Sequence, residues 1–284
     1  MTDYQAALKH KYRIEPGGDS VPGVTTILGI KEKPGLMWKA SEIGAITALA
    51  NSRRKRTIVR QHRIWLLESG GDRASRNKKR LLAQEGSDFD VYIHFCRGEF
   101  RRQWDAKANR GNRIHDIAYR WEPGVEFETR IADTKWVDAL ERFHKLYKPK
   151  SLHRECIVLN PDERYGGRFD DISELDGPRA EGVFMLDYKT GGQWNVEVAC
   201  QTEGYMHGEL ATFNPDGSLG ALMPLPHLDG ARAVYFDDEG NVTVTDPFEI
   251  ITRDQAWRAF LASKILFEVH KEITKSLKEF DYDE

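Results

Sequence analysis

Apolar residues recur at helical spacing through the first half of the chain and at strand spacing through much of the second. Leu36, Ala40, Ile43 and Ile46 fall three or four apart, which predicts a helix from Leu36 to about Leu67. Residues 1–30 before it read as an irregular or extended lead-in, because Val24-Thr25-Thr26-Ile27-Leu28 is rich in β-branched residues and Pro34-Gly35 breaks the chain. Gly70-Gly71 marks a loop. Ser87-Asp88 is a capping pair that opens a helix carrying Phe89, Tyr92, Ile93 and Phe100. Trp104 to Trp121 predicts one more helix or a helix pair. From Thr134 to Tyr147, Trp136, Val137, Leu140, Phe143 and Tyr147 form an apolar stripe that Pro149 stops.

The texture changes at Leu152. Glu155 to Leu159, Tyr165 to Leu175 and Val183 to Thr190 predict strands, with Asp176-Gly177-Pro178 as the turn between the last two. Asn195 caps a helix running to about Thr212. Ala231 to Phe236 and Val242 to Asp246 flank a hairpin signal at residues 237–241, and Arg253 to about Leu277 reads as a long closing helix before an acidic tail. The sequence contains no internal repeat. This order predicts a mixed α/β (α+β) fold: a mixed central sheet flanked by helices, with an elaborated helical N-terminal half. Residues 1–150 form the helical part and 151–284 the sheet-bearing core of one continuous globular unit.

Composition adds limits. The 284 residues are 40% hydrophobic and 31% charged, enough apolar material for a real core. No run approaches the roughly 18 apolar residues of a membrane span, and the opening residues lack the apolar stretch of a signal peptide. A cytoplasmic protein with no membrane partner is the expectation. Cys96, Cys156 and Cys200 are far apart and form no C-x-x-C pair, so three reduced thiols are expected. Charge is distributed unevenly. Asn51 to Arg113 holds 17 Lys and Arg against 7 Asp and Glu, while the rest of the chain holds 25 against 38. A basic region beside an acidic remainder suits a polyanion and a cation.

The candidate chemistry lies in Gly166-Gly167-Arg168-Phe169-Asp170 and Met185-Leu186-Asp187-Tyr188-Lys189-Thr190-Gly191. Strand side chains alternate, so Asp187 and Lys189 share one face and Tyr188 takes the other. A hairpin partner strand brings Asp170 beside them. Carboxylates gathered in a low-dielectric place repel unless a cation sits between them, and oxygen ligands suit Mg²⁺ or Mn²⁺. Phosphodiester hydrolysis uses such a centre, with the lysine offsetting negative charge in the transition state.

Ten residues beyond Thr190-Gly191 stands Gln201-x-x-x-Tyr205, and upstream stands Gly111-Asn112-Arg113-Ile114-His115. The ordered set G-x-x-x-H, G-x-x-D, D-x-K-T-G and Q-x-x-x-Y resembles the RecB-like branch of the PD-(D/E)xK nuclease superfamily. The size and the opening Val21-Pro22-Gly23-Val24-Thr25-Thr26 look like its stand-alone, bacteriophage-type exonucleases. The resemblance implies a restriction-endonuclease-like sheet and a metal-dependent deoxyribonuclease acting in recombination or replication. Position by position, it implies Asp170 and Asp187 as carboxylate ligands, with His115 and the Tyr188 carbonyl as further ligands. It makes Lys189 the catalytic lysine, and Gln201 and Tyr205 site supports or strand contacts. Glu155 is an additional candidate for a metal or a water. Arg53, Arg54, Lys55, Arg56, Lys78, Lys79 and Arg80 are candidates for the DNA phosphates, and Trp65 and Trp104 for unpaired bases, with core packing as their alternative.

Relatives that carry an iron–sulfur cluster place three cysteines near the C-terminus. Here none follows Cys200, so no cluster is expected. No G-x-x-x-x-G-K-[ST] loop is present, so neither a helicase motor nor a nucleotide cofactor is expected. The expected partner is DNA, as linear ends or single strands, with a recombination or replication protein as a further one. Oligomeric state is open. The alternatives are a structure-specific endonuclease on the same centre, or a DNA-binding recombination module with a vestigial nuclease site.

Overall fold

The computed structural model describes residues 12–14, 18–29, 43–190, 195–213, 219–237 and 239–280. The predicted helix start at Leu36 and Ala40, Gly191 of the motif, and the side chain of Trp104 lie outside the described residues. The fold is mixed α/β. Helices α1 (Val24–Leu28), α2 (Lys55–Glu68), α3 (Arg73–Glu85), α4 (Asp88–Arg120) and α5 (Thr134–Tyr147) come first. Then follow β1 (Lys150–Arg154), β2 (Ile157–Asn160), β3 (Tyr165–Arg168), β4 (Asp171–Gly177) and β5 (Ala180–Thr190). After them come α6 (Val196–Met206), β6 (Glu209–Phe213), β7 (Leu219–Met223), β8 (Gly230–Phe236), β9 (Val242–Thr245) and α7 (Arg253–Phe280). No helix among the described residues is long and apolar enough to cross a membrane.

The described residues fall into two compact units. One lies within Met1–Lys31 and Gly111–Glu284, the other within Glu32–Arg110. Helix α4 runs through the division, so the His115 helix belongs with the sheets rather than with the basic segment.

In the larger unit, β1-β4-β5-β8-β9 form a mixed sheet in that order, with β5 and β8 parallel and the other pairs antiparallel. An antiparallel sheet, β3-β2-β6-β7, stands apart from it. The alternation of β5 sorts its side chains between two cores. Phe184, Leu186 and Tyr188 join Ile114, Trp136, Leu140 and Phe143 on the α4–α5 side. Met185 joins Ile27, Tyr165, Phe169, Cys200, Tyr205 and Phe260 on the side of α1, α6 and α7. Helix α5 forms over Thr134–Tyr147 because Trp136, Ala139, Leu140 and Phe143 recur on one face. It stops where Lys148 turns left-handed (φ 45°) before Pro149. Each large side chain it buries contributes about 1.5–3 kcal/mol.

Some expectations are corrected. Val24–Leu28 is helical, because Val24, Ile27 and Leu28 are wholly buried against β3, α6 and α7 and this packing outweighs β-branching. The predicted strand Tyr165–Leu175 is two strands in two sheets, and of the strand predicted over Glu155–Leu159 only Ile157 onward is extended as β2, with β1 ending just before it at Arg154. The helix from Asn195, whose side chain caps Val198 N–H at 3.1 Å, ends at Met206 rather than Thr212. Gly208 follows, where a Cβ would lie 2.9 Å from Val158, and the chain enters β6. Neither β6 nor β7 carries an alternating pattern that predicts a strand.

The smaller unit contains α2, α3 and the first part of α4, preceded by helical residues 43–50. Ser87 caps α4 in the predicted way: its hydroxyl accepts from Asp90 N–H at 3.1 Å while Asp90 accepts from Ser87 N–H at 3.1 Å. From there α4 is one helix to Arg120. Its core is Ile58, Val59, Leu66, Ala83, Val91, Tyr92 and Cys96.

Candidate metal centre

Two adjacent strand breaks build the site. Glu155 and Cys156 separate β1 from β2, and Phe169 and Asp170 separate β3 from β4. The breaks are bonded to each other: Glu155 N–H donates to Asp170 O at 2.8 Å and Phe169 N–H to Cys156 O at 3.2 Å. At this corner the two-stranded ribbon leaves one sheet and enters the other. Glu155 turns through φ 51° to make the bend. A glutamate there costs about 1–2 kcal/mol, a strain found where surrounding structure fixes a residue in place.

The corner places two carboxylates beside α4. Asp170 Oδ1 lies 3.0 Å from His115 Nδ1, and Asp170 Oδ2 accepts from Tyr188 N–H at 2.7 Å. Ligand atoms of His115, Glu155 and Asp170 all lie within 4.8 Å of one another. Gly111 allows the helix close to β5, since a Cβ there would stand 3.3 Å from Thr190 Oγ1.

On β5, Lys189 Nζ lies 2.8 Å from Asp187 Oδ2 and donates to Gln201 Oε1 at 3.0 Å. Gln201 Nε2 donates to the Tyr205 hydroxyl at 3.0 Å. Gln201 and Tyr205, four apart on α6, thus hold the lysine head from behind. Tyr205 is buried, so its place is support. Gly167 makes room for it: a Cβ at 167 would lie 2.4 Å from Tyr205 Cε1. The glycine of one motif and the tyrosine of another are therefore a single packing contact. Helix α6 is tied to α7 by buried Glu203, which accepts from Arg253 Nε at 2.9 Å, and by His207 stacked on Trp257 at 3.8 Å.

Burial and opposing charge set the protonation. Burial alone would lower His115, but the Asp170 carboxylate outweighs it and raises the imidazole above its usual range. Burial would raise Asp170, yet His115, the Tyr188 N–H and Lys189 together lower it. Asp187 is raised by burial and by Asp170 despite Lys189, and Lys189 is raised because Asp187 outweighs its burial. Burial and Asp170 push Glu155 up to about 7.

The residues fit a divalent cation. Asp187 Oδ2 and Glu155 Oε2 are buried without an aligned hydrogen bond among the described residues, although Lys189 and Arg168 lie within ion-pair distance, 2.8 and 3.0 Å. Buried carboxylate oxygens with spare lone pairs, beside an imidazole, are the donor set of Mn²⁺ or Mg²⁺. Of the expected ligands, His115 and Asp170 converge with Glu155, while Asp187 turns to Lys189. Tyr188 gives its N–H to Asp170 and its ring to the core.

The basic candidates Arg53, Arg54, Lys55, Arg56, Lys78, Lys79 and Arg80 all belong to the smaller unit. Lys55 sits 5.5 Å from the Phe89 and Tyr92 ring centroids, and Lys79 sits 5.4 Å from that of Trp65. Tyr235, missed in the sequence, pairs with Lys189 across the parallel β5–β8 ladder, and its buried hydroxyl has no hydrogen-bond partner among the described residues. The period-two pattern of β8 could have placed it on the Lys189 face. Tyr235→Phe should stabilise the metal-free protein by about 1 kcal/mol in denaturant melts, because an unsatisfied buried hydroxyl is removed. A loss of stability would mean the hydroxyl is bonded in solution. Compared with protein-family models and with curated proteins, the chain finds no match in either.

Proposed function

We propose that the chain is a divalent-metal-dependent deoxyribonuclease of the PD-(D/E)xK type, acting as an exonuclease on linear ends or single strands in recombination or replication. One observation supports this above all. A lysine, three carboxylates and an imidazole from α4, the sheet-switching corner and β5 meet in one partly buried cluster whose like charges are costly without a cation. The ordered motifs that resemble the RecB-like branch supply His115, Asp170, Asp187 and Lys189 of these, and Glu155 joins them from outside the motifs.

In this proposal His115, Asp170 and Glu155 would hold the cation, with Asp187, paired to Lys189, as a further carboxylate beside it. The bound ion supplies Lewis-acid polarisation of the phosphodiester and acidifies water. Lys189, fixed by Asp187 and Gln201, presents an ammonium to the charge that develops on phosphate.

Incubating end-labelled linear DNA and closed circles with Mg²⁺, Mn²⁺ or EDTA tests the reading. Cleavage of the linear form alone, abolished by EDTA, is expected. A cation at about 100 times its Kd adds about 2.7 kcal/mol of stability, so Mn²⁺ should raise the melting temperature by several degrees. His115→Ala combined with Glu155→Gln should erase that rise. Intact DNA with both ions, together with an unmoved melting temperature, would sink the proposal.

A further inference from the structure

Outside the metal centre, the smaller unit has a cavity of about 1120 Å³ between α2, α3 and α4. Five cationic side chains and a single carboxylate, Asp105, line it. Arg102 is engaged, with Glu99 at 2.8 Å and its guanidinium 4.7 Å from the Phe95 centroid. Lys79 donates to Gly70 O at 3.2 Å. Arg54, Arg97 and Arg101 are exposed and have no ion-pair partner among the described residues. Like charges held around one concavity repel, and a polyanion relieves that repulsion.

The same cavity has aromatic surfaces. Trp65 is 48% exposed, far more than a packing tryptophan needs. His62 stacks on it at 5.1 Å and 11°, and the Lys79 ammonium lies 5.4 Å from its centroid. The indole thus already has the two kinds of neighbour that a nucleotide offers and seeks: a flat heteroaromatic ring and a phosphate-binding cation. His62 and His94 meet nitrogen to nitrogen at 2.9 Å. Burial, then His94 and Arg102, hold His62 down to about 4, so this pair is an uncharged polar floor at neutral pH. A purely electrostatic site needs no half-exposed indole, and an apolar pocket has no use for three unpaired arginines.

We propose that this cavity binds an unpaired nucleotide of a nucleic-acid strand, its base against Trp65 and its phosphates at Arg97 and Arg101. Aromatic stacking is indifferent to sequence, and a paired base presents no free face to stack. The site deepens the nuclease proposal by naming the form of its substrate, yet binding here needs neither the metal nor hydrolysis. A free nucleoside phosphate offers the same chemistry, and the test separates the two sources.

Fluorescent oligothymidylate is titrated in EDTA and followed by anisotropy, using the full chain. Trp65→Ala should weaken binding roughly five- to a hundredfold, and Trp65→Phe should restore most of it. Arg97→Ala with Arg101→Ala should weaken it further and reduce the salt slope by about 1.4. All these positions are exposed, so circular dichroism and melting should match wild type. Thymidine triphosphate that binds with the same dependence on Trp65 and the arginines, while the oligonucleotide does not, would assign the site to free nucleotides. Displacement by pyrophosphate or polyglutamate as effective as by the oligonucleotide, with Trp65→Ala neutral, would overturn the proposal. Retained binding without any hydrolysis would count only against the nuclease, and hydrolysis with no effect of Trp65 only against this cavity.

Discussion

Lys189→Ala should lower the rate of DNA hydrolysis by about 10³-fold at saturating Mn²⁺. The ammonium is held by three things at once: Asp187 Oδ2 at 2.8 Å, Gln201 Oε1 at 3.0 Å, and Tyr205 behind Gln201 at 3.0 Å. A donor fixed this way needs no reorganisation when charge builds on phosphate, which is why its removal acts on the chemical step. Arginine should not replace it, because a planar fork cannot occupy the place of a point charge between two fixed acceptors. Gln201→Ala should cost less, about 10-fold, since it frees the lysine head without deleting it. The Lys189→Ala/Gln201→Ala pair should be no worse than Lys189→Ala alone, because Gln201 acts through Lys189. Single-turnover cleavage of labelled DNA measures all four variants. A Lys189→Ala enzyme within a few-fold of wild type would remove the lysine from the chemistry. Stability gives an independent check. Without its partner Asp187 must neutralise or remain an unpaired buried charge, and a metal-free Lys189→Ala protein should lose about 1–3 kcal/mol.

The legible part of this site is the part that obeys a short period. Asp187, Tyr188 and Lys189 alternate across β5 as a strand must, and Gln201 and Tyr205 share a helix face four residues apart. The corner was not legible. No proline or Asx-Gly turn separates Phe169 from Ile172, so Tyr165–Leu175 predicts one strand where two exist. The change of sheet at Phe169–Asp170 is decided by partners far away: β2 pairs with β6, and β4 with β5. Only that pairing brings Glu155 into the cluster with His115 and Asp170. The basic segment divides in the same way. Its excess charge can be counted, but the gathering of Arg97 and Arg101 on α4 with Trp65 on α2 requires three helices to pack. Val24–Leu28 shows propensity losing to burial, since all three of its large apolar residues enter the core as a single helical turn.

Gly167→Ala should destabilise the larger unit by about 1–3 kcal/mol or more and lower hydrolysis with it. The added Cβ would stand 2.4 Å from Tyr205 Cε1, 2.8 Å from Cδ1 and 3.3 Å from Val24 Cγ2. Tyr205 cannot step aside easily, because it is buried in the core with Tyr165, Phe169 and Phe260 and its hydroxyl is bonded to Gln201. Relief must come from α6 shifting as a whole, and α6 is clamped to α7 through Glu203 and Arg253. Either way the strain is transmitted to Gln201 and from there to Lys189. Tyr205→Ala alone should also destabilise, by leaving a cavity. In the Gly167→Ala/Tyr205→Ala protein the new methyl meets empty space, so the two costs should fall well short of additive in urea melts. Additive costs would mean that glycine is present at 167 for some reason other than the tyrosine ring. The coupling assigned here between the G-x-x-D and Q-x-x-x-Y motifs would then fail, even if each motif remained necessary for cleavage.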